Sequence, residues 1–193
     1  RWAPDSKGFY YSAYDAPKQN AYSSKNEFQK VYYHALGTPQ SADRLIYEDR
    51  EHPLRYFSAW PSEDGKWLFV IASEGTSGTE VLYKRVSDPK FRVLLPGFDA
   101  DYSPVDCKDD RLYYVTNRDA SNYALMKVDL NDPSKVSTVI PESGGKLLAD
   151  SAPYFDIRTG VPLDALDESL EHAYTEGRKA FGFYTGGETV TVM

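Results

Sequence analysis

One short pattern returns along this chain and limits what it can fold into. A strand start bearing Trp, Phe or Tyr leads into a turn rich in Asp, Gly and Lys, and an aromatic strand follows. Residues 2–12 read Trp-Ala-Pro-Asp-Ser-Lys-Gly-Phe-Tyr-Tyr-Ser, and residues 57–70 read Phe-Ser-Ala-Trp-Pro-Ser-Glu-Asp-Gly-Lys-Trp-Leu-Phe-Val. A weaker copy runs from Tyr102 to Tyr114 with Asp109-Asp110-Arg111 at its turn, and a last one from His172 to Tyr184 with Glu176-Gly177-Arg178. Self-similarity of this length implies stacked supersecondary units, none able to bury its apolar face alone. The turn acids Asp5, Asp64, Asp109 and Glu176 stand 59, 45 and 67 residues apart. A β-propeller blade, four antiparallel strands in roughly 40–50 residues, fits the middle interval. The first interval is one blade plus a long loop, carried by the polar stretch Asp15 to Asn26.

The remaining strands of each unit are legible between turns. Gln29 to Leu36 is aromatic and β-rich, Gly37 to Gln40 turns, and Arg44 to Glu48 follows. Glu80 to Arg85 and Phe91 to Leu95 flank Ser87-Asp88-Pro89, and Tyr123 to Asp129 and Val136 to Ile140 flank Asn131-Asp132-Pro133. The expected fold is all-β, part of a β-propeller with three to four blades of four-stranded antiparallel sheets. Blade repeats are placed around 2–50, 57–95 and 98–140, and shortened blades around 146–193. In that last stretch Lys146 to Ala149 reads as an inner strand, Tyr154 to Gly160 as a third strand and its turn, and Asp164 to Glu171 as a candidate short helix. Arg1 is no natural start, so the chain is expected to be cut from something longer.

Composition narrows the function. A formal net charge of -7 with no basic stripe argues against nucleic acid. No apolar run approaches the ~20 residues of a membrane span. The 16 Tyr and 9 Phe suit twisted antiparallel sheets, where a tyrosine packs its ring and keeps its hydroxyl wet. A single cysteine, Cys107, excludes an internal disulfide and any Cys-based zinc site. It reads as a small strand residue, since Asp106, Asp109 and Asp110 surround it where a reactive thiol needs positive charge. The compartment stays open between cytoplasm and bacterial periplasm.

Four strings carry a resemblance: Trp2 to Ser12, Gln29 to Ser41 (Gln-Lys-Val-Tyr-Tyr-His-Ala-Leu-Gly-Thr-Pro-Gln-Ser), Ile71 to Thr76 (Ile-Ala-Ser-Glu-Gly-Thr) and Thr116 to Tyr123 (Thr-Asn-Arg-Asp-Ala-Ser-Asn-Tyr). With them, Trp2 to about Glu142 resembles the seven-bladed propeller domain of prolyl oligopeptidases, serine peptidases that cut short peptides after proline. The string Tyr32 to Thr38 is the most specific; the Asp-Gly-Lys turn recurs in many propellers. The match fades after Ile140, and Gly186 to Met193 departs from the family pattern. The resemblance implies a propeller that caps the catalytic site, admits small peptides and excludes folded proteins. It also implies that Tyr56 and Thr76 occupy places reaching the shared cavity. Their ordinary readings, a blade-packing aromatic and a turn cap, stay open beside it.

The family's reaction needs a serine on a strand-to-helix elbow, with an Asp and a His placed by an α/β-hydrolase sheet. No Gly-x-Ser-x-Gly occurs, and Gly75-Thr76-Ser77-Gly78 reads as a loop between strands. No catalytic residue is assigned, and the chain is not expected to hydrolyse peptides itself. His34, His52 and His172 share no ligand spacing, so strand and loop roles are expected and no metal or cofactor is assigned. Asp99 with Asp101, and Asp109 with Asp110, are candidate calcium ligands or paired carboxylates, against the plainer reading of solvated turn acids. The expected partners are an α/β-hydrolase catalytic domain and short proline-containing peptides. The alternative is a stand-alone or engineered part-propeller that self-associates through open blade edges or recruits another protein.

Overall fold

 

The computed structural model describes residues 1–15 and 26–142, and beyond them four short strands. β1 (Gly8–Ala13), β2 (Lys30–Ala35) and β3 (Arg44–Glu48) form one antiparallel sheet in that order. β4 (Tyr56–Pro61), β5 (Trp67–Ser73), β6 (Thr79–Arg85) and β7 (Arg92–Leu95) form the second. β8 (Tyr102–Lys108), β9 (Arg111–Thr116), β10 (Ala124–Asp129) and β11 (Val136–Ile140) form the third. Each strand pairs with its neighbour in sequence, and the described residues contain no α-helix, only a 3-10 turn at Gln40–Ala42. Successive antiparallel sheets packed face to face make this part of a β-propeller. Two hairpins follow, β12 (Phe155–Asp156) with β13 (Val161–Pro162) and β14 (Phe183–Thr185) with β15 (Glu188–Val190). The strand expected at 146–149 and the helix expected at 164–171 lie outside the described residues.

β5 shows why the sheets stack. Its side chains alternate between two covered faces, as a strand's period of two requires. Trp67 and Phe69 join Val81, Tyr83, Leu112, Tyr114 and Val128 in the cluster between the second and third sheets. Leu68, Val70 and Ala72 point the other way, toward Val31, Tyr10 and Ala3 of the first sheet and its approach. A strand covered on both sides reads as a continuous apolar run, here Trp-Leu-Phe-Val-Ile-Ala. Complete burial of a side chain such as Phe69 contributes roughly 1.5–3 kcal/mol.

The turns repeat as well. Asp5 Oδ1 accepts the Lys7 N–H at 3.0 Å, and Asp64 Oδ1 accepts the Lys66 N–H at 3.0 Å, the same Asx turn in two units. Between β8 and β9, Asp109 (φ 51) and Asp110 (φ 57) are both left-handed, the backbone of a type I′ hairpin. The first sheet departs from four strands. On the open edge of β1 only a Trp2–Phe9 bridge is formed, beside which Arg1 and Tyr10 exchange hydrogen bonds of 2.7 Å.

Candidate functional site

Antiparallel order gathers alternate loops on one rim. Tyr56 pairs with Ser73 and Ser73 with Thr79, while Tyr102 pairs with Thr116 and Thr116 with Ala124. Loops 49–55, 74–78, 96–101 and 117–123 therefore share an edge of the stacked sheets.

Tyr56 opens β4 as a residue 41% exposed, and its hydroxyl donates to the Gly75 carbonyl. Thr76 follows in the exposed 74–78 loop. Neither the Thr76 nor the Ser77 hydroxyl has a hydrogen-bond partner among the described residues. The structure thus brings the two residues singled out by resemblance to adjacent places, linked through Gly75. Arg55 supports the same loop: Nε donates to Glu74 Oε2 at 2.9 Å, Nη1 to Asp49 Oδ2 at 3.3 Å, and the guanidinium lies 4.6 Å from the Phe98 ring centroid. Its stem is held by Asp101, whose Oδ1 accepts the Gly78 N–H and whose Oδ2 accepts the Tyr123 hydroxyl, both at 2.7 Å.

The other candidates are dispersed. His34 Nδ1 lies 2.6 Å from Asp43 Oδ1 in the first sheet, and His52 Nδ1 lies 2.9 Å from Asp49 Oδ2 on the rim. His172 lies outside the described residues. Asp99 and Asp101 do not act as a pair, because Asp99 stands 3.6 Å from the Arg118 guanidinium while Asp101 turns to Gly78 and Tyr123. Asp110 accepts the Trp67 indole N–H at 2.7 Å and Asn131 Nδ2 at 3.2 Å, and these bonds hold its carboxyl below the usual range. Among the described residues no three His, Cys, Asp or Glu side chains are grouped to hold a metal ion. Cys107 is buried in β8, where desolvation, with Asp64, Asp106 and Asp110 nearby, pushes its thiol up to about 12. The bracing roles of Arg55 and Asp101 escaped the sequence reading; Asn117 and Tyr123 inside the quoted Thr116 to Tyr123 string were the available signal.

The family model for the prolyl oligopeptidase N-terminal β-propeller domain matches residues 1–156. The chain belongs to that family. A prolyl endopeptidase of Elizabethkingia meningoseptica is 34% identical over 161 residues, covering 82% of this chain and 22% of that protein. Prolyl oligopeptidase A of Galerina marginata is 32% identical over 161 residues, covering 76% of the chain and 22% of its own length. Among solved structures, Galerina marginata prolyl oligopeptidase B bound to a 35mer hydrolysis and macrocyclization substrate aligns with a TM-score of 0.67 at 29% identity, over 74% of this chain and 20% of that one. This prolyl oligopeptidase propeller segment therefore spans about a fifth of the length of the relatives it matches.

Proposed function

We propose that the segment is a cavity-capping, substrate-gating wall of a prolyl oligopeptidase-like serine peptidase that cleaves short peptides after proline. Bond breaking belongs to an α/β-hydrolase partner domain, and the propeller wall decides which peptides reach it. Residues 2–50, 57–95 and 98–140 act as successive blades, with 146–193 supplying shortened ones. Tyr56 and Thr76 face the shared cavity. The observation that carries this reading is the rim loop itself: its base is held by Tyr56 and Arg55, and its tip offers unbonded hydroxyls. Such hydroxyls can pair with a peptide backbone, and an exposed tyrosine ring offers apolar contact to a proline.

The test exchanges residues 1–142 into the Elizabethkingia meningoseptica prolyl endopeptidase, in place of the matching segment, with Thr76→Trp and Tyr56→Ala variants. Roughly three- to tenfold changes in KM for a short proline peptide, with kcat nearly kept, are expected for lost uniform binding. An active chimera whose kcat and KM ignore both substitutions overturns the assignment. A second reading, self-association through open edges, draws on Trp2 and Leu45, 58% and 47% exposed on the first sheet and its approach. Sedimentation of the isolated chain as a monomer at micromolar concentration removes it.

A further inference from the structure

We propose that Asp101 is the positioning residue of the rim, tying the 74–78 loop of the second sheet to the third sheet so that Thr76 and Ser77 are presented at a fixed place. What the loop is positioned for rests on the gating reading; the brace itself does not. The carboxylate accepts from Gly78 and from Tyr123, and Asn117 Oδ1 accepts the Asp101 N–H at 2.7 Å, so the acid is fixed through its own backbone too. The stem beside it is joined to the same segment. Thr79 N–H donates to the Ala100 carbonyl at 2.9 Å, and Thr79 Oγ1 accepts the Tyr102 N–H at 2.6 Å. These contacts use the backbone or Thr79, whereas the Gly78 bond requires the Asp101 side chain. A hydrogen bond to an ionised acceptor is roughly twice as strong as a neutral one. The bond to Asp101 is the main cause that raises the Tyr123 hydroxyl above its usual range. On the loop's other side Tyr56 and Arg55 hold Gly75 and Glu74, which leaves Thr76 and Ser77 as the unheld tip.

Amide hydrogen exchange on the full 193-residue chain tests the brace without any substrate. Asp101→Ala is expected to speed Gly78 exchange roughly tenfold or more, with β5 and β9 little changed. Asp101→Asn, which keeps an acceptor oxygen, is expected to restore much of the protection. Unchanged Gly78 exchange in Asp101→Ala overturns the proposal, as does an equal rise across β5 and β9. If the alanine variant does not fold, Tyr123→Phe, which removes the donor to Asp101 Oδ2, is read by the same local comparison. Loss of loop protection together with Thr76-insensitive chimera kinetics leaves the brace standing and removes only the gating reading.

Discussion

The indole N–H of Trp67 donates to Asp110 Oδ1 across 2.7 Å, joining the buried start of β5 to the turn between β8 and β9. Asn131 extends the contact, giving its Nδ2 to Asp110 at 3.2 Å and accepting Arg85 Nη2 at 2.6 Å. The Arg85 guanidinium returns over the Trp67 ring at 4.4 Å. An acid of the third sheet therefore grips the second sheet on each rim, Asp110 on one and Asp101 on the other.

Asp110→Ala is expected to destabilise the chain by about 1–3 kcal/mol, because a buried indole donor loses its acceptor. The left-handed backbone at position 110 adds to the cost for alanine. Asp110→Asn tolerates that backbone and keeps an acceptor, so its loss should be smaller. Urea unfolding followed by tryptophan fluorescence measures both. Equal losses for the two variants would contradict the hydrogen-bond account.

Acid should weaken the fold through two carboxyls. The Tyr11 hydroxyl, then His34, hold Asp43 below the usual carboxylate range, and Trp67 and Asn131 do the same for Asp110. A depressed folded value contributes stability that is complete above the unfolded value, about pH 4 for Asp, and is lost as pH falls through the folded one. Urea midpoints of wild type and Asp43→Asn are therefore expected to converge as pH drops below about 4. A gap that stays constant to pH 2.5 would exclude this linkage.

The strands were legible because both their period and their punctuation are local. Trp67 to Ala72 reads as a doubly covered strand, and Asp5 and Asp64 announce turns that they close themselves through Lys7 and Lys66. The rim was not legible for the opposite reason. Asp101 meets Gly78, Asn117 and Tyr123, which belong to two other loops, whereas sequence proximity paired it with Asp99. Thr76 and Tyr56 were reached by resemblance; their link through Gly75 needed the antiparallel register of β4 and β5.

Cys107 should behave as an inert side chain. Its burial and its raised thiol leave almost no thiolate at neutral pH. Reaction with a disulfide reagent at pH 8 is expected only at the rate of unfolding, and to speed up with urea. Prompt labelling of the folded chain would show that β8 opens locally.

Gly78 and Gly75 should respond very differently to alanine. Both have positive φ, +80 and +104, so each substitution carries backbone strain of about 1–3 kcal/mol. At Gly75 an added Cβ meets nothing within 4 Å. At Gly78 it would stand 1.9 Å from the Phe98 carbonyl oxygen, so segments 78 and 98 must separate. That movement also stretches the neighbouring bonds from Gly78 to Asp101 and from Thr79 to Ala100. Gly78→Ala is therefore expected to lose at least about 2 kcal/mol more than Gly75→Ala in urea unfolding. Similar losses at the two positions would mean that the two sheets do not touch at this point of the rim.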